Sequence, residues 1–177
     1  MLHKKVMATL LYPALMLLSA TPQSVSANSA VDSPSGSAAS DMRALSIENK
    51  KKYAASHFLG FYTAFGSIAS DVCQAEGVDL TAYVSAFTLK HTAEFAKAQK
   101  IILASGISDE QMASIARGRR SVMEANVRRS MLDLAAALHK TTVADGCAYV
   151  ASNATDAASA QSYAEASPDV EAILMSN

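Results

Sequence analysis

The 177-residue chain has no tryptophan, only four prolines and only seven glycines. Because proline and glycine break helices and form tight turns, their scarcity favours long helices. Signals for strands are missing as well. No segment alternates apolar and polar residues with a period of two, and the Asp145-Gly146 pair lies between helical patterns rather than between β-branched runs. These absences predict an all-α protein.

The chain also lacks the short motifs of common catalytic and nucleotide-binding sites. It has no G-x-S-x-G nucleophile motif, no glycine-rich phosphate loop and no calcium-binding loop. Among its 16 acidic residues, no pair stands out as a general acid and base. We therefore expect no catalytic residue, no cofactor and no enzymatic activity.

A strong charge of either sign is absent, since the formal net charge is −1. Removal of the signal peptide predicted below leaves 13 basic and 16 acidic residues, a net charge of −3. Proteins that bind nucleic acid usually carry a clear excess of Lys and Arg. The mild negative balance therefore argues against a nucleic-acid partner.

The N-terminus predicts export. Lys4 and Lys5 precede an apolar run at residues 6–20, and small residues lead up to Ala27. This pattern is typical of a signal peptide, here residues 1–27, with cleavage after Ala27. The alternative is an uncleaved anchor, but a membrane-spanning helix needs about 20 apolar residues. We expect a periplasmic or secreted protein with no stable membrane anchor after cleavage.

Most of the remaining chain follows helical patterns. Residues 28–41 are rich in Ser and Ala and show no apolar period, which predicts a disordered linker. Residues 42–177 predict a single all-α domain, a bundle of about four to six helices with one disulfide.

The first helix, predicted for residues 42–75, carries the strongest apolar stripe of the chain. Its members follow the 3.6-residue period of an α-helix and place several aromatic rings on one face. They are Phe58, Phe61, Tyr62, Phe65, Ile68, Ala69, Val72 and Cys73. Such a face needs at least two further helices to cover it.

The next two helices start and stop at recognisable signals. Asp79 predicts the cap of a second helix that ends near Ser105, and Ser108 opens a capping box that starts the third. Gly118 predicts a kink or a short break in this third helix. The apolar stripe of the third helix is Met112, Ile115, Ala116, Val122, Met123, Val127, Met131, Leu134 and Leu138.

The end of the chain predicts two more short helices. One covers residues 143–153, and the other begins at Ser167-Pro168, where serine is a favourable cap and proline a favourable first residue. Residues 153–166, between them, are mostly Ala, Ser and Thr. That composition is compatible with either a helix or a loop.

Cys73 and Cys147 are the only cysteines, and neither belongs to a CxxC motif or to a pattern typical of metal ligands. In an exported protein such a pair most simply forms a disulfide. The bond should stabilise the fold by about 4 kcal/mol in the chain-entropy model. Two buried thiols, or a reactive pair, are the competing interpretations.

His91 and Glu94 share one face of the second helix, as the His and Glu ligands of dimetal sites in helical bundles do. Such a site needs the pair twice, together with further Glu residues on facing helices, and the sequence does not supply them. We therefore expect no metal site. His91 is in line with Phe87 and Phe95, which predicts a histidine at the edge of the core that makes a hydrogen bond.

A group of arginines in the third helix is the main charged feature. The candidates for binding a partner are Arg117, Arg119, Arg120 and Arg128. The alternative is a solvated face, because Arg120, Glu124 and Arg128 follow one another at steps of four and can pair along the helix. Arg117 and Arg119 have no acid at that spacing, which makes them the first candidates.

Two functions fit these features. The first is an exported helical protein that binds a protein partner, as an inhibitor, immunity protein or assembly factor does. The second is a carrier of a small apolar ligand or lipid, with a cavity between the aromatic first helix and the methionine-bearing third helix. Methionine suits such a cavity because its side chain is flexible and polarisable.

Overall fold

The computed structural model describes residues 45–176, apart from the side chain of Asp109. All regular structure in this range is helical, and one disulfide joins the two cysteines. The predicted all-α class with one disulfide is therefore confirmed. The predicted signal peptide (1–27), the predicted linker (28–41) and residues 42–44 of the predicted domain lie outside the described residues, as does Asn177.

The described part of the chain forms eight helices, so the predicted count of four to six is wrong. Helix α1 covers residues 47–75, with α-helical turns at Ile47–Thr63, a π-helical segment at Ala64–Ile68 and α-helical turns at Ala69–Ala75. The other seven are α2 (Thr81–Lys90), α3 (Thr92–Ala104), α4 (Asp109–Ala137), α5 (Val143–Ser152), α6 (Ala154–Ala160), α7 (Tyr163–Ala166) and α8 (Pro168–Met175).

Part of the difference in helix number arises at His91. The predicted second helix is divided there, because the backbone of His91 leaves the helical conformation (φ −101°, ψ 18°) between α2 and α3. The apolar period continues across the division, since both helices face the same core. The rest of the difference comes from residues 153–166, which form α6 and α7. The start of the second helix is also shifted, with Leu80 rather than Asp79 at the cap position.

The third predicted helix corresponds to α4, which begins with the expected capping box. Gln111 N donates to Ser108 Oγ (3.2 Å), and Ser108 N donates to Gln111 Oε1 (2.8 Å). The predicted short break at Gly118 is wrong, because α4 runs without interruption from Asp109 to Ala137, and the alternative, a kink, stays a prediction. One glycine removes no backbone hydrogen bond, and its cost of about 1 kcal/mol is too small to end a long helix.

Helix α1 lies at the centre of the bundle. Its first part packs against α3 and α8, and its later part packs against α2, α4 and α5. Every member of the predicted aromatic stripe is buried except Tyr62, which is half-buried. The rings pack closely on one another, with centroids 4.9 Å apart for Phe61 and Phe65 and 4.4 Å apart for Tyr62 and Phe95. The stripe therefore forms the core, as predicted.

The disulfide joins Cys73, near the end of α1, to Cys147 in α5, and both residues are fully buried. Next to it, α4 and α5 approach closely at Gly146, where a Cβ atom would lie only 2.8 Å from the carbonyl carbon of Met131. The bond therefore connects the central helix to the α4–α5 pair. Within the described range, no helix has both the length and the apolar composition needed to cross a membrane.

Candidate functional site

The first half of α4 is open to solvent on nearly every side. From residue 110 to residue 122 every residue is exposed except Met112, which is half-buried. Burial begins at Met123 and continues to Ala135, where α4 packs on α1 and α5. The open turns remain helical because the capping box closes one end and the packed half continues the other, so each residue only extends an existing helix. We call residues 110–122 the exposed segment of α4.

Two large apolar side chains in this segment are exposed. Ile115 is 49% exposed and Val122 is 51% exposed. The sequence pattern assigned both to the core, and this assignment is wrong. Their seven-residue spacing places them on the same side of the helix, as expected for core residues, but no helix formed by residues 45–176 covers that side.

Together with Met112 and Arg119, these residues form a stripe with spacings of three, four and three residues. We call Met112, Ile115, Arg119 and Val122 the α4 seam. This spacing is typical of the side of a helix that packs against another protein surface. Arg119 is its only charged member, and the three others are apolar.

Two of the four predicted arginines, Arg120 and Arg128, make ion pairs that connect α4 to the end of α1. Arg120 donates to Asp71 (2.8 Å) and to Glu124 (2.7 Å), and Arg128 donates to Glu76 (2.7 Å). The expected pairing of Arg120 with Glu124 along the helix is present. Arg128 pairs with Glu76, the residue that follows the last turn of α1, instead of with Glu124. Because these side chains are about half exposed, each ion pair should add little stability, but both orient α4 on α1.

Arg117 and Arg119 both lie in the exposed segment, but on different sides of the helix. Arg119 belongs to the seam. Arg117 is two residues from both Ile115 and Arg119, which places it about 160–200° around the axis from them. The two first candidates therefore cannot contact the same flat partner surface together.

His91 is buried, with 1% exposure, and makes hydrogen bonds through both ring nitrogens. Its Nε2 lies 2.9 Å from the carbonyl oxygen of Gln161, and its Nδ1 lies 3.3 Å from Glu94 Oε1. The rings of Phe61 and Phe87 surround it at centroid distances of 5.3 and 4.7 Å. The predicted hydrogen-bonded histidine is present, although it lies deeper in the core than expected.

Lys90, next to His91, binds the end of α6. Its Nζ donates to the carbonyl oxygens of Ser159 (2.6 Å) and Gln161 (2.9 Å). Burial lowers the pKa of Lys90, although Glu165 and Glu94 act in the opposite direction. Lys90 and His91 thus connect the division between α2 and α3 to the C-terminal helices. Both have a structural role in this arrangement.

A second histidine contact was not predicted from the sequence. His57 Nδ1 lies 2.9 Å from the hydroxyl of Tyr163, and burial lowers the pKa of His57. These residues are far apart in the chain, and no local pattern connects them. In the described part of the chain, no three His, Cys, Asp or Glu side chains are grouped closely enough to hold a metal ion.

The exposed segment of α4 is therefore a long helical surface that the described part of the fold leaves open for contact, while the buried polar groups described above bind one another. The chain matches no family model, no curated protein and no solved structure in comparisons with all three.

Proposed function

We propose that the protein is exported and acts by binding a protein partner on the exposed segment of α4. The observation that carries this proposal is the exposure of residues 110–122, in which Ile115 and Val122 remain uncovered on a well-formed helix. Amphipathic helices commonly bind by laying an apolar stripe into a groove, with contacts at positions i, i+4 and i+7. Ile115, Arg119 and Val122 have this spacing.

Export is supported by two independent features. The N-terminal sequence has the pattern of a cleaved signal peptide, and Cys73 is bonded to Cys147. Disulfides persist mainly in oxidising compartments. Sequencing the N-terminus of the protein purified from its natural source should give Asn28 as the first residue. An intact Met1 in the mature protein would contradict export through this signal.

The packing of the core favours a protein partner over the alternative, a small apolar ligand. The aromatic rings that would line a cavity beside α1 contact one another instead, as Phe61 does with Phe65 and with Phe87 at 4.9 and 5.7 Å. Met123 and Met131 of α4 are also buried in this core. The large apolar side chains of α4 that remain uncovered are on its surface, where a macromolecule can reach them.

The expected contribution of Ile115 and Val122 to the free energy of binding is moderate. Full burial of a large aliphatic side chain contributes roughly 1.5–3 kcal/mol, and Ile115 and Val122 are each about half exposed. Completing their burial should add about 2 kcal/mol together, which is a factor of about 30 in affinity. Additional contacts are needed for tight binding.

Site-specific photo-crosslinking tests the proposal. A photo-reactive amino acid replaces Val122 in the exported protein, and the extracytoplasmic fraction of the natural source is irradiated. The matched control carries the same amino acid in place of Leu89, which is more exposed than Val122 but lies on α2. We expect one protein adduct of defined mass from position 122 and none from position 89. Equal labelling at both positions, or no adduct at position 122, would contradict the proposal.

A further inference from the structure

We infer that His91 carries two ring protons in the folded protein, and that the loss of one of them at higher pH loosens the C-terminal helices α7 and α8. His91 is then a proton-controlled joint between the α2–α3 division and this end of the chain.

The two hydrogen-bond partners of His91 are both acceptors. Its Nε2 lies 2.9 Å from the backbone carbonyl oxygen of Gln161, and its Nδ1 lies 3.3 Å from Oε1 of Glu94. A carbonyl oxygen and a carboxylate oxygen have no proton to donate, and a neutral imidazole carries only one N–H. A neutral ring therefore leaves one nitrogen with its lone pair towards an acceptor. A ring with two protons donates to both partners.

The second proton lies on the ring rather than on Glu94. The side chain of Glu94 is 19% exposed, so water still reaches its carboxylate, and the ammonium of Lys90 attracts it. The resulting imidazolium of His91 is buried, but each of its N–H groups has an acceptor. Buried charges are tolerated in proteins when they are paired and hydrogen-bonded in this way.

The charged groups around His91 come from three helices. Lys90 of α2 donates to the same carbonyl oxygen of Gln161 (2.9 Å), Glu94 of α3 faces Nδ1, and Glu165 of α7 attracts Lys90. With a neutral imidazole these groups carry one positive and two negative charges. With a protonated imidazole the charges balance, which favours the protonated ring.

Aromatic rings enclose the imidazole on its other sides. Phe58 and Phe61 of α1 and Phe87 of α2 pack on it at centroid distances of 6.0, 5.3 and 4.7 Å. Tyr163 of α7 packs on the same two rings of α1, and its hydroxyl is hydrogen-bonded to His57. Because these rings exclude water, a polar atom that loses its partner here cannot bond to water instead.

Gln161 connects the state of the imidazole to the C-terminal helices. It is 3% exposed and lies between the end of α6 and the start of α7, and α8 follows α7 directly. When His91 loses a proton, the bond from its Nε2 to Gln161 either breaks or loses the help of a positive charge. Charge-assisted hydrogen bonds are roughly twice as strong as neutral ones, so the attachment of α7 weakens in both cases.

The direction of the pH effect follows from where the proton is bound. An unfolded histidine binds its second proton only below about pH 6.5, whereas the folded site requires it. The stabilising effect is therefore complete below about pH 6.5 and is lost as the pH rises above that value. His57 acts in the opposite direction, because burial lowers its pKa and its effect on stability is lost at low pH.

Nitrogen-15 NMR of the imidazole rings tests the protonation state. We expect both ring nitrogens of His91 to carry protons at about pH 7.5, where an ordinary histidine is mostly neutral. His139, which is exposed, is the internal reference, and His57→Gln and His139→Gln assign the signals. A His91 ring with one unprotonated nitrogen at about pH 7.5 would overturn the inference.

Glu94→Gln tests the reason for the second proton, because an amide can donate a hydrogen bond where a carboxylate can only accept. Nδ1 without a proton is then satisfied, so we expect a neutral His91 ring at about pH 7.5 in this variant. Glu110→Gln is the matched control, since it removes the same charge from an exposed position on α4 and should leave the signals of His91 unchanged. A doubly protonated ring in Glu94→Gln, or the same loss of a proton in both variants, overturns the inference.

Hydrogen exchange measures the effect on the C-terminal helices. After correction for the intrinsic pH dependence of exchange, protection of the amides of residues 163–175 should fall about tenfold or more between about pH 6.5 and about pH 8.5. Protection of residues 123–135, in the packed half of α4, should not change, and Glu94→Gln should abolish the pH dependence at residues 163–175. Protection that does not depend on pH in the natural sequence, or that falls equally in both segments, overturns the role of His91 as a joint.

Discussion

At the scale of single residues, Ser130 is the clearest source of lost stability. It is 1% exposed in the middle of α4, and its hydroxyl has no hydrogen-bond partner within the described part of the chain. A buried polar group without a partner costs about 1–3 kcal/mol. This cost should be recoverable by mutation.

We expect Ser130→Ala to raise the free energy of unfolding by about 1 kcal/mol, because it removes the unpaired hydroxyl and places a better helix former in α4. Urea unfolding followed by circular dichroism measures the change. Ser121→Ala is the matched control, since Ser121 is exposed on the same helix and gains only the helix propensity, less than about 0.7 kcal/mol. A loss of stability in Ser130→Ala would show that the hydroxyl is needed.

His57 should make the stability depend on pH. Burial lowers its pKa below the ordinary value of 6.5, so the folded state favours the neutral ring and the unfolded state binds a proton more readily. The stabilising effect is therefore complete above about pH 6.5 and is lost as the pH falls through the lowered pKa. As the pH is lowered below about 6.5, we expect the urea concentration at the unfolding midpoint to decrease. The decrease should be smaller in His57→Gln. Parallel pH profiles of the two proteins would contradict this assignment.

At the scale of helices, the contact between α4 and α5 depends on a glycine. A Cβ atom on Gly146 would clash with the backbone of Met131, which cannot move without shifting α4. Gly118, in the exposed segment, has open space around its Cα. Replacing glycine by alanine should therefore have opposite effects on the free energy of unfolding at the two positions.

We expect Gly146→Ala to lower the free energy of unfolding by about 3 kcal/mol or more, because the clash involves backbone atoms. Gly118→Ala should raise it by about 1 kcal/mol, because alanine is the better helix former. Urea unfolding of both variants measures the difference. Similar effects at the two sites would show that the helices can separate at Gly146 at little cost.

Helix boundaries were predictable where a local signal exists. Ser108 with Gln111 starts α4, and Gly77 follows the end of α1 with a positive φ of 78°. The division at His91 has no such signal. At that position His91 Nε2 contacts the carbonyl oxygen of Gln161, which is 70 residues away in the sequence. A contact with a distant segment leaves no trace in the local residue pattern.

At the scale of the whole molecule, the disulfide connects the central helix to the α4–α5 pair. Cys73 and Cys147 are separated by 74 positions, so the bond closes a long loop in the unfolded chain. Restricting such a loop should stabilise the fold by about 4 kcal/mol in the chain-entropy model. The local helices do not depend on the bond, but their arrangement does.

We expect the double variant Cys73→Ala/Cys147→Ala to unfold at a lower urea concentration, with a loss of about 4 kcal/mol. The helical content at low urea should be little changed. As a control, reducing agent added to the folded protein should leave the bond intact, because both cysteines are fully buried. A loss below about 1 kcal/mol would show that packing alone holds α1 against α5.

The linear pattern was enough to predict the helical class, the aromatic stripe of α1 and the pairing of the two cysteines. The helical class and the stripe depend on residue type and on a period of a few positions. The pairing follows because the chain has no other cysteine. The exposure of Ile115 and Val122 could not be predicted in this way, because their spacing is that of core residues. It depends on where the neighbours of α4 end: α5 has only 10 residues against 29 in α4, and only the later part of α1 packs against α4. Which side chains are left for a partner follows from where the covering helices end.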